Sequence, residues 1–157
     1  MSKAGDATRE PVGDEPDAQA NLLNSPLDTL LGYRLRRASM VMMADLLAML
    51  RPLGLSAGEA SFLILIGANP GCRQSDVGRA LEIKRANLTP LVARMKAREL
   101  VIDAPIDGRS RSLTLTESGV ALRDKALARI GAADRKARKG LPIDESALLS
   151  ALRIIAG

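Results

Sequence analysis

A chain of 157 residues, 46% of them hydrophobic, is long enough to bury one core. One Phe, one Tyr and no Trp point to helices packed through aliphatic side chains rather than to an all-β fold. The lack of any His and the presence of a single cysteine, Cys72, remove histidine general bases, Cys/His metal sites and intrachain disulfides, so neither a metal nor a cofactor is expected.

Charge is uneven: net −3 over residues 1–20 and +8 over the remainder, for a total of +5. A basic body suits a polyanionic partner, though solubility alone also accounts for it. No apolar run approaches the roughly 18 residues needed to span a bilayer, and the start lacks the basic-then-apolar order of a signal peptide, so the cytoplasm is the expected compartment.

Residues 1–21 are rich in Asp, Glu, Ala, Pro and Gly without a hydrophobic period and read as a disordered acidic tail. Ser25-Pro26-Leu27-Asp28 then reads as an N-cap, a first-turn proline and a first-turn acid, opening a helix to about Arg51. Leu27, Leu31, Leu35, Ala38, Met42, Leu46 and Met49 form an apolar stripe along it, and Pro52-Leu53-Gly54 stops it. Ser56-Ala57-Gly58-Glu59 is a capping box for a short, nearly all-apolar and hence buried second helix that ends at Gly67-Ala68-Asn69-Pro70-Gly71.

A third helix is expected over Gln74–Leu81 and, after the Glu82-Ile83 turn, a fourth over Arg85–Arg98; two short helices joined by a tight turn are a helix-turn-helix. Leu100–Pro105 and Ser112–Leu115 are β-prone runs about an Asp107-Gly108 turn, which places a hairpin, or wing, directly after the helix-turn-helix. Thr116 caps a helix from Glu117 to about Lys139, and a last helix covers Asp144–Ile155. The fold class is therefore mainly α with a small β-hairpin wing: a winged helix-turn-helix (56–116) with a helical region, 22–55 and 117–157, suited to dimerisation.

On the fourth helix Leu88, Leu91, Val92 and Met95 face inward, leaving Ala86, Asn87, Thr89, Pro90 and Arg94 outward. Short polar side chains let a recognition helix enter the major groove, where Asn pairs bidentately with adenine; the same face is equally a solvated surface. Lys84 and Arg85 precede it and suit phosphates, whereas Pro90 costs about 3 kcal/mol in a regular helix. At the hairpin tip Asp107, Arg109 and Arg111 set two guanidiniums on a turn beside an acid, an arrangement suited to a narrow minor groove or simply an ordinary charged turn. No nucleophile–base pair, phosphate loop or metal cluster can be assembled, so an enzyme is not expected.

From about Leu31 to Leu122, and best over 67–119, the chain resembles the MarR family of bacterial transcriptional regulators. The matching text is GANPGCRQSDVGRALEIKRANLTPLVARMKARELV followed by DGRSRSLTLTESG. The resemblance implies a homodimer joined by its terminal helices, with recognition helices in major grooves and wings in flanking minor grooves of a palindromic, double-stranded operator. Arg109 takes the place of the wing arginine and Asp107 that of its partner acid. The full expected set of DNA contacts is Gln74, Ser75, Lys84, Arg85, Asn87, Thr89, Arg94, Asp107, Arg109 and Arg111.

Three departures stand out. Glu99 occupies the position of a family glycine, where a left-handed backbone costs a non-glycine of order 1 kcal/mol. Asp103 replaces a basic residue frequent in the first wing strand, and the wing is about two residues shorter than in many members.

The family also binds small aromatic carboxylates. Here Tyr33, Arg36 and Arg37 place a phenol beside guanidiniums, and Met40 and Met43 follow with adaptable thioethers; these five are the expected effector residues. GYRLRRA, GANPG and RANL are also similar to the branch that senses hydroxycinnamoyl-CoA thioesters, in which Arg36 or Arg37 would clamp CoA phosphates. The methionines serve equally well as core or interface. A ligand-released repressor is thus the leading reading, a winged-helix protein-interaction module the alternative, and a redox-sensing repressor acting through Cys72 a minor one.

Overall fold

A computed structural model describes residues 25–108 and 110–157; the expected acidic tail and Arg109 lie outside the described residues. The chain divides into two compact units, one through Arg37 and one from Ala38 onward.

In the first unit the expected helix start is corrected. Pro26–Thr29 forms a single 3-10 turn, Leu30 is extended (φ −87°, ψ 117°), and helix α1 begins only at Leu31, continuing to Leu50. Ser25 makes no side-chain cap. The turn closes on itself instead: the Thr29 hydroxyl donates to the Pro26 carbonyl (2.8 Å), and Arg34 Nε donates to the Asp28 carbonyl (2.9 Å), an acceptor that a continuing helix would have used. Arg34 also pairs with the Asp28 carboxylate at 3.4 Å, and the Arg37 guanidinium lies 6.0 Å from the Tyr33 ring centroid.

In the second unit α1 ends in a 3-10 turn, Arg51–Leu53, terminated by Gly54 at φ 61°. Helix α2, Ala57–Ala68, starts on the expected capping box: the Glu59 N–H donates to Ser56 Oγ (3.2 Å) and the Ser56 N–H donates to Glu59 Oε2 (2.9 Å). Its Ala60, Phe62, Leu63 and Ile66 are buried, and it packs against β3 and α5.

A two-residue strand, β1 (Cys72–Arg73), then precedes helices α3 (Gln74–Ala80) and α4 (Arg85–Ala97). The hairpin strands are β2 (Val101–Asp107) and β3 (Ser110–Leu115), longer toward the tip than the β-prone runs suggested. All three strands form one antiparallel sheet in the order β1-β3-β2, with Cys72 opposite Leu113 and a register shift between Pro105 and Asp107. Thr116 caps α5, Glu117–Arg138, through Gly119 N–H (3.0 Å), and Asp144 caps α6, Glu145–Ala156.

The core gathers the inner faces of these elements: Leu50, Phe62, Leu63, Ile66, Val77, Leu88, Met95, Val101, Leu113 and Ala126 among them. Burial of apolar surface at about 25 cal/mol per Å² drives this assembly. The last helix contributes nothing to it. Leu149, Leu152, Ile154 and Ile155 of α6 are all exposed, as are Met40, Val41, Met42 and Leu47 of α1. No single helix among the described residues is long and apolar enough to cross a membrane.

Candidate nucleic-acid interface

Helices α3 and α4 meet closely because Gly78 carries no side chain: a Cβ there would lie 2.7 Å from Leu88 Cδ2. Between them the chain turns through Leu81, Glu82 and Ile83, with the Ile83 N–H donating to the Gly78 carbonyl at 2.8 Å. Glu82 holds the left-handed conformation, φ 53°, that this turn requires.

Helix α4 then presents its inward face as expected. Leu88, Leu91, Val92 and Met95 are buried, while Ala86, Asn87, Thr89, Pro90 and Arg94 are exposed. No side chain caps its start, where the Asn87 and Leu88 N–H groups both donate to the Lys84 carbonyl. Pro90 lacks an N–H and so takes the usual partner from the Ala86 carbonyl on this exposed side, where solvent or a ligand can supply another. The Thr89 hydroxyl donates to the Arg85 carbonyl at 3.3 Å.

The α3–turn–α4 unit and the wing enclose an open groove of about 800 Å³. Among the described residues lining it, Arg73, Arg79, Lys84, Arg85 and Arg111 are cationic and Glu82 alone is acidic. Six of the ten expected contacts line this groove: Gln74, Ser75, Lys84, Arg85, Thr89 and Arg111. Asn87 is exposed on α4 without lining it, and Arg109 lies outside the described residues. Arg94 turns toward α2, where it pairs with Glu59 at 3.6 Å. Asp107 accepts from the Ser110 N–H at 2.8 Å and lies 3.9 Å from Arg73.

Arg73 and Arg79 line the groove without belonging to the expected contacts. Arg73 reaches the groove only because β1 pairs with β3 and sets it opposite Ser112, a two-residue strand too short to carry a hydrophobic period.

Two acids tie α4 to its neighbours. Glu59 pairs with Arg94 and, at 3.8 Å, with Arg98. Burial raises its pKa, but the Ser56 hydrogen bonds and the two arginines outweigh that, so its carboxyl sits below the ordinary glutamate value. Asp103 on β2 engages Lys96 of α4 and Arg111 of β3. The Lys96 hydrogen bond, with the Arg111 contacts, holds its carboxyl below the ordinary range against the opposing effect of burial.

Beyond α4, Glu99 is left-handed at φ 55°, as its place in the glycine position implies. The next turn is pinned from α5: the Thr116 hydroxyl donates to the Glu99 carbonyl (2.6 Å), and the Thr116 N–H donates to the Leu100 carbonyl (3.1 Å).

The five expected effector residues all lie on α1. Tyr33 is half-buried, and Arg36, Arg37, Met40 and Met43 are exposed. A cavity of about 430 Å³ between α1 and α5 is lined by Asp45, Ala48, Met49, Ala133, Lys136 and Ala137, and includes none of the five. Cys72 is half-buried, and burial first, with Asp76 adding to it, pushes its thiol up.

A helix-turn-helix followed by a hairpin that flanks a cationic groove defines a winged-helix DNA-binding protein. Comparison with known proteins narrows the class. Residues 53–110 match the MarR family model. Over 116 residues, 69% of this chain and 80% of the relative, the sequence is 33% identical to the HTH-type transcriptional repressor Rv2887 of Mycobacterium tuberculosis (strain ATCC 25618 / H37Rv).

Among solved structures, the transcriptional repressor CouR bound to a 23-mer DNA duplex superposes with a TM-score of 0.76 at 33% identity, covering 83% of this chain and 95% of that one. CouR bound to p-coumaroyl-CoA gives 0.72 at 31% identity, with 86% and 97% covered. The chain belongs to the MarR family of transcriptional regulators.

Proposed function

We propose that this protein is a homodimeric repressor that binds a palindromic operator and is released by a small anionic aromatic ligand, an aromatic acid or an aryl-CoA thioester. The observation that carries the DNA-binding part is the groove beside α4, where among the described residues five cations face one acid. Lys84 and Arg85 serve phosphates, Asn87 and Thr89 face bases, and Arg109 enters the minor groove from the wing. CouR, similar to this chain over most of its length, is described bound to a DNA duplex and to p-coumaroyl-CoA.

Dimerisation rests on the exposed apolar residues of α1 and α6. Surfaces of this kind are more commonly interface than free surface. The effector is assigned to Tyr33, Arg36 and Arg37, with Met40 and Met43 further along the same helix. The raised thiol of Cys72 disfavours the thiolate, which argues against redox sensing.

The test is a gel shift against the protein's own upstream intergenic DNA, with size determined by sedimentation. A dimer that shifts this DNA at low salt, and an Arg109→Ala variant that binds it about 5- to 150-fold more weakly, are expected, since one base-contacting arginine contributes about 1–3 kcal/mol. Absence of a shift favours the protein-interaction module instead. A thermal-shift screen of aromatic acids and their CoA thioesters, repeated in Tyr33→Ala and Arg37→Ala, tests the effector; hits indifferent to both substitutions remove this assignment.

A further inference from the structure

Asp103 stands where the alternation of β2 calls for an apolar residue. Its cross-strand partner is Leu113, fully buried, and the next inward pair is Val101 with Leu115, of which Val101 is also buried. An inward carboxylate is costly to desolvate unless it is paired. The Asp103 side chain is 8% exposed and is paired twice, with Lys96 and with Arg111, whose side chains remain 45% and 48% exposed.

Lys96 follows Thr89 by seven residues and Arg85 by eleven, so all three lie on one face of α4. Arg85, Thr89 and Arg111 line the groove. Arg111 therefore borders the groove and Lys96 continues the Arg85–Thr89 face of α4 beyond it, while Asp103 engages both.

We propose that Asp103 is a positioning residue that withholds Lys96 and Arg111 from DNA phosphates, keeping sequence-independent binding weak while tying the end of the recognition helix to the wing. Non-specific affinity comes from phosphate neutralisation, so each cation withdrawn lowers it and flattens its salt dependence. Contacts to bases from Asn87 and its neighbours are untouched, and a larger share of the binding energy then depends on sequence.

The inference rests on the DNA-binding reading, and its test keeps the two apart. Binding to a duplex of random sequence is measured against salt for wild type, Asp103→Asn, Lys96→Gln and the double variant, with Lys84→Gln as the phosphate-contact reference and circular dichroism as the folding check. Asp103→Asn is expected to steepen the log–log slope by about 0.9–1.8 and to tighten non-specific binding at 0.1 M salt roughly tenfold. Lys96→Gln alone is expected to leave the slope unchanged, and in the Asp103→Asn background to remove about 0.9 of the gain.

An unchanged slope in folded Asp103→Asn overturns the proposal. So does a Lys96→Gln variant whose slope falls as far as that of Lys84→Gln, a comparison that stands even if Asp103→Asn does not fold. Wild type that binds no duplex at any salt refutes the DNA-binding reading itself, and this inference with it.

Discussion

Replacing Gly119 with alanine puts a methyl group where the fold has no room for one. A Cβ at this position would lie 2.0 Å from the Leu100 carbonyl oxygen, 3.0 Å from its carbon and 3.4 Å from Leu100 Cα. The obstacle is backbone, and it is tied down: the Leu100 carbonyl accepts from the Thr116 N–H, and the Thr116 hydroxyl donates to Glu99. Relief requires the first turn of α5 to move off the α4–β2 junction.

Such overpacking costs about 1–3 kcal/mol, and the two hydrogen bonds add about 1 kcal/mol each when lost. The better helix propensity of alanine returns up to about 1 kcal/mol. The net is about 3 kcal/mol, a melting temperature lower by roughly 6–12 °C for a chain of this size.

Gly67→Ala is the control. Its Cβ would meet Arg123 Nη1 at 2.4 Å and Cδ at 2.5 Å, with Leu115 Cδ1 at 3.0 Å, but these are side-chain atoms that can swing aside. A change within about 1 kcal/mol, or roughly 3 °C, is expected. Thermal melts by circular dichroism decide. If Gly119→Ala melts within about 3 °C of wild type, or Gly67→Ala falls as far as it does, the close-approach argument is wrong.

Relieving the left-handed backbone at Glu99 with Glu99→Gly is expected to stabilise by up to about 1 kcal/mol, because strain relief exceeds the added chain entropy; a lower melting temperature counts against it. Ser56→Ala removes half of the capping box and is expected to cost about 1 kcal/mol, read as a lower urea midpoint at unchanged m-value. The carboxyls of Glu59 and Asp103 both titrate below their ordinary values when folded, so their stabilisation is full above the unfolded values, near pH 4, and is lost as pH falls further. Melting temperature should therefore drop on acidification from pH 5 to pH 3, and less steeply in Glu59→Gln; parallel profiles would exclude Glu59 from the effect.

Local chemistry made much of this molecule legible. Ser56 and Glu59 three residues apart specify a capping box whatever surrounds them, and the inward positions Leu88, Leu91, Val92 and Met95 follow from helical period alone. The αL position of Glu99 was legible only through the family glycine, and the hairpin through Asp107-Gly108.

Where local and distant demands competed, the pattern misled. Ser25-Pro26 offers a helix start, yet the Thr29 hydroxyl and the Arg34 guanidinium take the carbonyls a helix would need, so α1 begins at Leu31. Sequence by itself determined which segments are helical, where most of them stop, and that the region around α4 is basic, because caps, periods and charges act over a few residues. Tertiary structure alone decided that β1 brings Arg73 into the groove, that Glu59 draws Arg94 toward α2, and that Asp103 meets Lys96 and Arg111. Those partners lie from 7 to 39 residues apart, on different elements, and only the packing of α2, α4 and the sheet about one core brings them within reach.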